Sequence, residues 1–316
     1  MGSNNKVRSM RVFYSLSVMV VNFVVCFVIS NVVANNSIAD SNSFAAVTAA
    51  DAKSAGDIIK RLDTGVYHAE MFGLKDLVVD LKFKEAVEDI GALLGDMPIE
   101  KMIIRVYWLQ GGKIDAEVIG LPRGFSNLKE HLIKIALMRF GYVISSSFGD
   151  KLKSFDFKVE KLFKENQETI INGKDKNMMG PVSTVKLTMD NDGGLKELVA
   201  QLPTGLEISK FEWVKSNEAQ NKWLLSSLDI SMDYGNSIRK SETSLKHDKF
   251  AGFMLPTAVF TKTEMLKVEL KKDKDGATRK IEIAEGNANE EKIIFDNYQI
   301  NSGKAQKYFQ KKSNRL

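Results

Sequence analysis

The 316-residue chain holds one cysteine, Cys26, together with three histidines, three tryptophans and five prolines. A lone thiol leaves nothing for an intrachain disulfide or a thiolate metal cage. Stability must then come from a hydrophobic core, for which about 270 residues beyond the N-terminal segment suffice. Three histidines also leave little for nucleophilic or zinc chemistry. The sequence has no GxSxG elbow, no HExxH pair, and no GxGxxG or Walker loop for phosphate. His131 falls on the polar side of a helical pattern, and His68 and His247 stand in polar, loop-like surroundings, so all three read as surface residues. No cofactor or metal is expected, and neither is an enzymatic activity.

Charge is missing from residues 12–33, "VFYSLSVMVVNFVVCFVISNVV", which follow a basic flank of Lys6, Arg8 and Arg11. This is a membrane-targeting segment with two readings. Its length suits a signal anchor, whereas Val32 and Ala34, followed by small polar residues, suit a cleaved signal peptide. Residues 1–34 are therefore signal peptide or signal anchor, 35–50 a polar spacer, and 51–316 a single domain. Under either reading the domain lies outside the cytoplasm, periplasmic or otherwise extracytoplasmic, and is held at the inner membrane if the segment stays. The same residues hold three of the 45 Lys and Arg and none of the 40 Asp and Glu, so the positive excess beyond them is two. That is too little for a nucleic-acid footprint.

Period-two patterns dominate what remains. In "GLKDLVVDLKFKE" Leu77, Val79, Leu81 and Phe83 share one face, and the opposite face is expected to be wet. Met102, Ile104, Val106 and Trp108 form a second such face, and the turn Gln110–Lys113 sends the chain back through Ile114, Ala116 and Val118. "FSNLKEHLIKIALMRFG" is a long amphipathic helix capped by Ser126 or Asn127, and "SAGDIIKRLDTG" a short one starting at Ser54. Helical turns are expected at 85–94, 194–200 and 304–311. About ten strand candidates result, with "GNSIRKSETSLKHDK" (235–249) read as a loop or boundary. The acidic group Glu85, Glu88 and Asp89 reads as an exposed helix face, and "DNDGG" (190–194) as a hairpin turn.

The fold expected is α+β, with a single large, strongly curved antiparallel sheet, an incomplete β-barrel whose concave face is covered by a few helices. The apolar residues Trp213, Trp223, Phe250, Phe253 and Met254 serve either a filled core or a cavity, with "KFAGFMLP" (249–256) as a flexible lid. Residues proposed to line a cavity are Leu77, Val79, Leu81, Phe83, Met102, Ile104, Val106, Trp108, Phe253 and Met254.

Two stretches carry a family resemblance. Gly73, Leu74, Lys75, Asp76, Leu77, Asp80 and Phe83 at one end, with Phe295, Tyr298, Ile300 and Asn301 at the other, resemble the outer-membrane lipoprotein carrier-like (LolA-like) superfamily. The resemblance implies a half-barrel whose cavity takes lipid or lipoprotein acyl chains, with a role in lipoprotein sorting and with envelope proteins as further partners. The alternative is a membrane-tethered interaction protein with a filled core. "EKIIFDNYQINSG" (291–303) is expected to be the far edge or closing strand of the sheet.

Overall fold

The structure, a computed structural model, describes residues 49–83, 102–121, 124–163, 168–177, 180–190, 192–272 and 278–314. The targeting segment, nearly all of the spacer, and the helical turn expected at 85–94 with Glu85, Glu88 and Asp89 lie outside them. No described helix is long and apolar enough to cross a membrane.

Helix α1 (Ala49–Gly65) precedes strands β1 (Asp76–Phe83), β2 (Ile103–Leu109) and β3 (Lys113–Ile119). Helices α2 (Ser126–Arg139) and α3 (Phe148–Leu152) come next. The chain then runs through β4 (Phe155–Phe163), β5 (Glu168–Asp175), β6 (Thr184–Met189), β7 (Leu195–Leu202) and β8 (Gly205–Ser216). It continues with β9 (Lys222–Asp233), β10 (Ser237–Phe250), β11 (Phe253–Lys272), β12 (Thr278–Ala284) and β13 (Asn289–Ile300), and ends in α4 (Lys304–Ser313).

All thirteen strands form one antiparallel sheet, in the order β3-β2-β1-β13-β11-β10-β9-β8-β7-β6-β5-β4, with β12 on the far half of β11. The architecture is α+β, a large sheet with few helices. Strands β4 to β11 are sequential neighbours, the arrangement that short turns favour. Of the two expectations for the terminal strand, the far edge is overturned. The strand is not an edge but lies inside the sheet between β1 and β11, with Leu77 opposite Ile300 and Leu81 opposite Phe295. The two family-like stretches are thus hydrogen-bonded neighbours.

Asn301 fixes this junction. In the left-handed region, which asparagine tolerates, it accepts the N–H groups of Lys75 (2.8 Å) and Asp76 (3.2 Å) and donates to the Gly73 carbonyl (3.0 Å). Asn297, also left-handed, sits where the β1/β13 register shifts, and donates to Asp80, which also holds Arg105 in a two-point ion pair.

Cross-strand register places one continuous face beneath α1, α2 and α3. At the β1 end Leu77, Val79, Leu81, Ile104, Val106 and Trp108 pack with Leu132, Ile135 and Ala136 of α2. At the β4 end Phe155, Ile171, Leu187 and Leu198 pack with Ile58, Ile59 and Leu62 of α1. The opposite face of β1 and β2 is not wet as the alternation implied. Val78 and Tyr107 lie under α4, against Ala305, Tyr308 and Phe309, with the Tyr107 and Tyr308 rings stacked 3.8 Å apart. A helix far along the chain supplies the cover, which local periodicity cannot report.

Other expectations change for equally local reasons. The segment 235–249 is β10, paired along its length with β11; its inward Arg239, Ser241 and Thr243 disguise it as a loop. Residues 195–200 belong to β7 rather than to a helical turn, and β5 forms although "ETIINGKD" has few apolar residues. Strand β11 runs unbroken for 20 residues. Helix α1 begins at Ala49, since "AADAKSA" favours helix well before Ser54. Phe125 rather than Ser126 or Asn127 is the cap of α2, without a side-chain bond. In "KFAGFMLP" Ala251 and Gly252 form a two-residue turn with positive φ at both positions, so this segment is a tight hairpin within the sheet and not a lid.

Candidate functional site

A cavity of about 150 Å³ lies where the two halves of the covered face meet. Its sheet wall is Phe211 and Trp213 of β8, Trp223, Leu225 and Leu228 of β9, Leu245 and His247 of β10, and Met254 and Pro256 of β11. Leu137 and Met138 of α2, the connection 141–146, and Phe148 and Lys151 of α3 form the other side. Each wall follows from the local chain. Trp213 and Trp223 share the helix-bearing face because the β8/β9 register shifts beside Glu212, and the Trp213 indole N–H donates to the Leu195 carbonyl at 2.6 Å.

Polar anchors hold the rim. The Asp63 carboxylate accepts the N–H groups of Phe148 and Gly149 at the start of α3. The imidazole of His68 bonds the Ser145 carbonyl at 3.0 Å, which places the proton on Nδ1. The Tyr67 hydroxyl accepts the Met254 N–H at 3.1 Å. His68 and His247 are therefore not surface residues, and His131 is half-buried with its Nε2 enclosed. Burial pushes the His247 imidazole down to about 4, so it is neutral at pH 7 and adds no charge to the cavity. Among the described residues there is no group of three His, Cys, Asp or Glu that could hold a metal ion.

Of the residues singled out in the sequence, Met254 lines the cavity, while Leu77, Val79, Leu81, Phe83, Met102, Ile104, Val106, Trp108 and Phe253 are gathered in the packed cluster around α2. Trp213 and Trp223, noted only as apolar, stand on the cavity wall. No cavity residue was legible from period alone, since a lining side chain and a core side chain alternate identically.

A polar stripe escaped sequence reasoning altogether. On the same face, next to the cavity, lie Glu207 and Ser209 of β8, Arg239, Ser241 and Thr243 of β10, Thr261 and Thr263 of β11, and Glu291 of β13, all buried. Ser241 bonds Thr263 (3.0 Å) and Thr243 bonds Thr261 (3.2 Å) across the strands. Arg139 of α2 reaches down to donate to Glu291 at 2.6 Å. Burial raises the Glu207 carboxyl to about 7, against the pull of Arg239 and the Ser209 hydroxyl. The available signal was the run of inward polar residues at period two in 237–245.

No family model and no curated protein matches the chain. Two solved structures are similar to it at low TM-score. One, described as a "putative outer membrane lipoprotein-sorting protein domain" from Vibrio parahaemolyticus, has 8% identity and a TM-score of 0.26, covering 80% of this chain and 94% of that one. The other, the MucA/MucB complex of Pseudomonas aeruginosa, has 9% identity and a TM-score of 0.19, covering 80% and 96%. Likenesses at this level carry no argument about what the chain does.

Proposed function

We propose that the protein is a non-enzymatic binder of acyl lipid in the cell envelope, with residues 51–316 as one ligand-holding domain behind a targeting segment. The observation that carries this reading is the apolar cavity between the sheet and the α2–α3 connection, walled by two tryptophans, five leucines and two methionines, with its one histidine kept neutral. Each methylene transferred from water into such a site gains about 0.8 kcal/mol. A volume of about 150 Å³ takes a benzene-sized group rather than a drug-sized one, so the cavity as it stands holds one segment of a chain. In this reading the sheet bends around its helix-bearing face as an incomplete barrel, and the nine packed candidates beneath α2 join the lining once α2 shifts. Lipoprotein sorting and envelope partners belong to the same reading.

The test is native mass spectrometry of the full chain purified in mild detergent. Acyl lipid should co-purify, and a Leu228→Trp variant that fills the cavity should lose it while keeping its far-ultraviolet circular dichroism. A wild-type protein that carries no lipid and takes up none from vesicles would overturn the reading.

A further inference from the structure

At the polar end of the helix-bearing face two charged side chains are enclosed without hydrogen bonds of the kind their neighbours make. Glu207 is 0% exposed and neither carboxylate oxygen has a partner; Arg239 is 2% exposed, with Nε and Nη1 unpartnered. The Ser209 hydroxyl, also 0% exposed, pulls on the Glu207 carboxyl without reaching good hydrogen-bond geometry. Charged groups in this state cost a fold several kcal/mol each and are rare in native proteins, so the pair calls for a reason.

Sheet register explains why the two do not satisfy each other. Met232 of β9 stands between them, opposite Glu207 on one side and Arg239 on the other. Two strand spacings separate their backbones, about 10 Å. Ala200 and Met265 are their outer neighbours and offer no polar atoms from their side chains. The nearby Arg139 is engaged with Glu291, and its positive charge still acts against the charged form of Arg239.

We propose that Glu207 and Arg239 form a polar subsite for a zwitterionic amino-phosphate group, phosphate oxygens on Arg239 and ammonium on Glu207, at the end of a ligand whose apolar part occupies the cavity. The proposal rests on the lipid-binding reading. Charge selects the zwitterion. An anion alone would leave Glu207 unpaired and repelled, a cation alone would do the same to Arg239, and a neutral molecule bearing both charges answers both. Continuity comes from β8, whose residues Glu207, Ser209, Phe211 and Trp213 alternate on one face. The subsite is therefore about 13 Å along the strand from the cavity wall at Phe211. The raised carboxyl of Glu207 fits an acid awaiting a cationic partner.

The full chain would be equilibrated with equimolar dioleoyl-phosphatidylethanolamine and dioleoyl-phosphatidylglycerol in detergent, and the bound lipid counted by mass spectrometry. Wild type should retain the ethanolamine lipid about tenfold over the glycerol lipid, the size expected of one charge-assisted hydrogen bond. Glu207→Gln should bring the ratio towards one. Arg239→Gln is the second variant should the first fail to fold, and the wild-type ratio is read independently of both. Lipid bound without discrimination would overturn the subsite and leave the lipid reading standing. Saturable binding of free phosphoethanolamine with no lipid retained would uphold the subsite and overturn the lipid reading. Neither kind of binding would overturn both.

Discussion

Strands β1 and β10 present residues to the same helix-bearing face, yet one became core and the other the floor of a site. Beneath α2, β1 buries Leu77, Val79, Leu81 and Phe83, and α4 covers its reverse face. Strand β10 turns Arg239, Ser241, Thr243, Leu245 and His247 to the same side of the sheet, where it meets a cavity and unpaired charge. The difference lies in what covers each strand. Where two helices clamp a strand from both sides, every inward atom has a neighbour; where coverage changes from one helix to another, space and unsatisfied groups remain.

The contrast is broken most forcefully from the packed side. Leu81→Arg puts a charge at a position with no exposure, opposite Phe295 and Ile104. A loss of about 4 kcal/mol or more is expected, read as failure to give a cooperative urea transition. Next is the link that crosses from α2 to the sheet. Arg139→Ala leaves Glu291 buried and alone, which should cost about 3–5 kcal/mol in urea denaturation. Replacing both by methionine should recover most of that loss, because removing a buried pair together is far cheaper than halving it.

On the site side the effect changes sign. Glu207 has its carboxyl raised from an ordinary value to about 7, so the folded state binds the proton more tightly than the unfolded one. Stability should therefore fall as pH rises from about 4.5 to 7 and level off above, by an amount on the order of 2–3 kcal/mol. Glu207→Gln should remove that slope and raise stability at pH 8, as seen in melting curves across the range. A flat wild-type profile would show that the carboxylate is better paired than its geometry allows. A smaller loss, about 1–2 kcal/mol, is expected for Asn301→Ala, which gives up three backbone bonds at the β1/β13 junction.

Much of the packed region was legible because its residues are apolar and local: β1, the β2/β3 hairpin and α2 follow from alternation and from a 3.6-residue period. The pairing of β1 with β13 needed both ends of the chain, and only Asn301 and its neighbours hinted at it. The site was not legible for the opposite reason. Its central strand, β10, is polar inward, so composition reads it as a loop, and β5 is weak in the same way. Lys240 and Lys246 on the outer face deepen the disguise. A cavity is also a property of what several elements fail to fill, and no single segment encodes it.

The smallest effect on stability should carry the largest consequence for binding. Leu245 closes the cavity from β10 and lies within the core cluster of the β1 end, so it belongs to both regions at once. Leu245→Phe adds volume into existing space instead of into a packed layer. Overpacking a filled core costs about 1–3 kcal/mol, whereas a side chain entering a cavity should change stability by less than about 1 kcal/mol. The same substitution at Leu77, with no cavity beside it, should show the full overpacking cost. Lipid retained by the full chain should fall with Leu245→Phe. If the two variants lose stability equally, the cavity is filled in solution, and the distinction between packed end and open centre collapses.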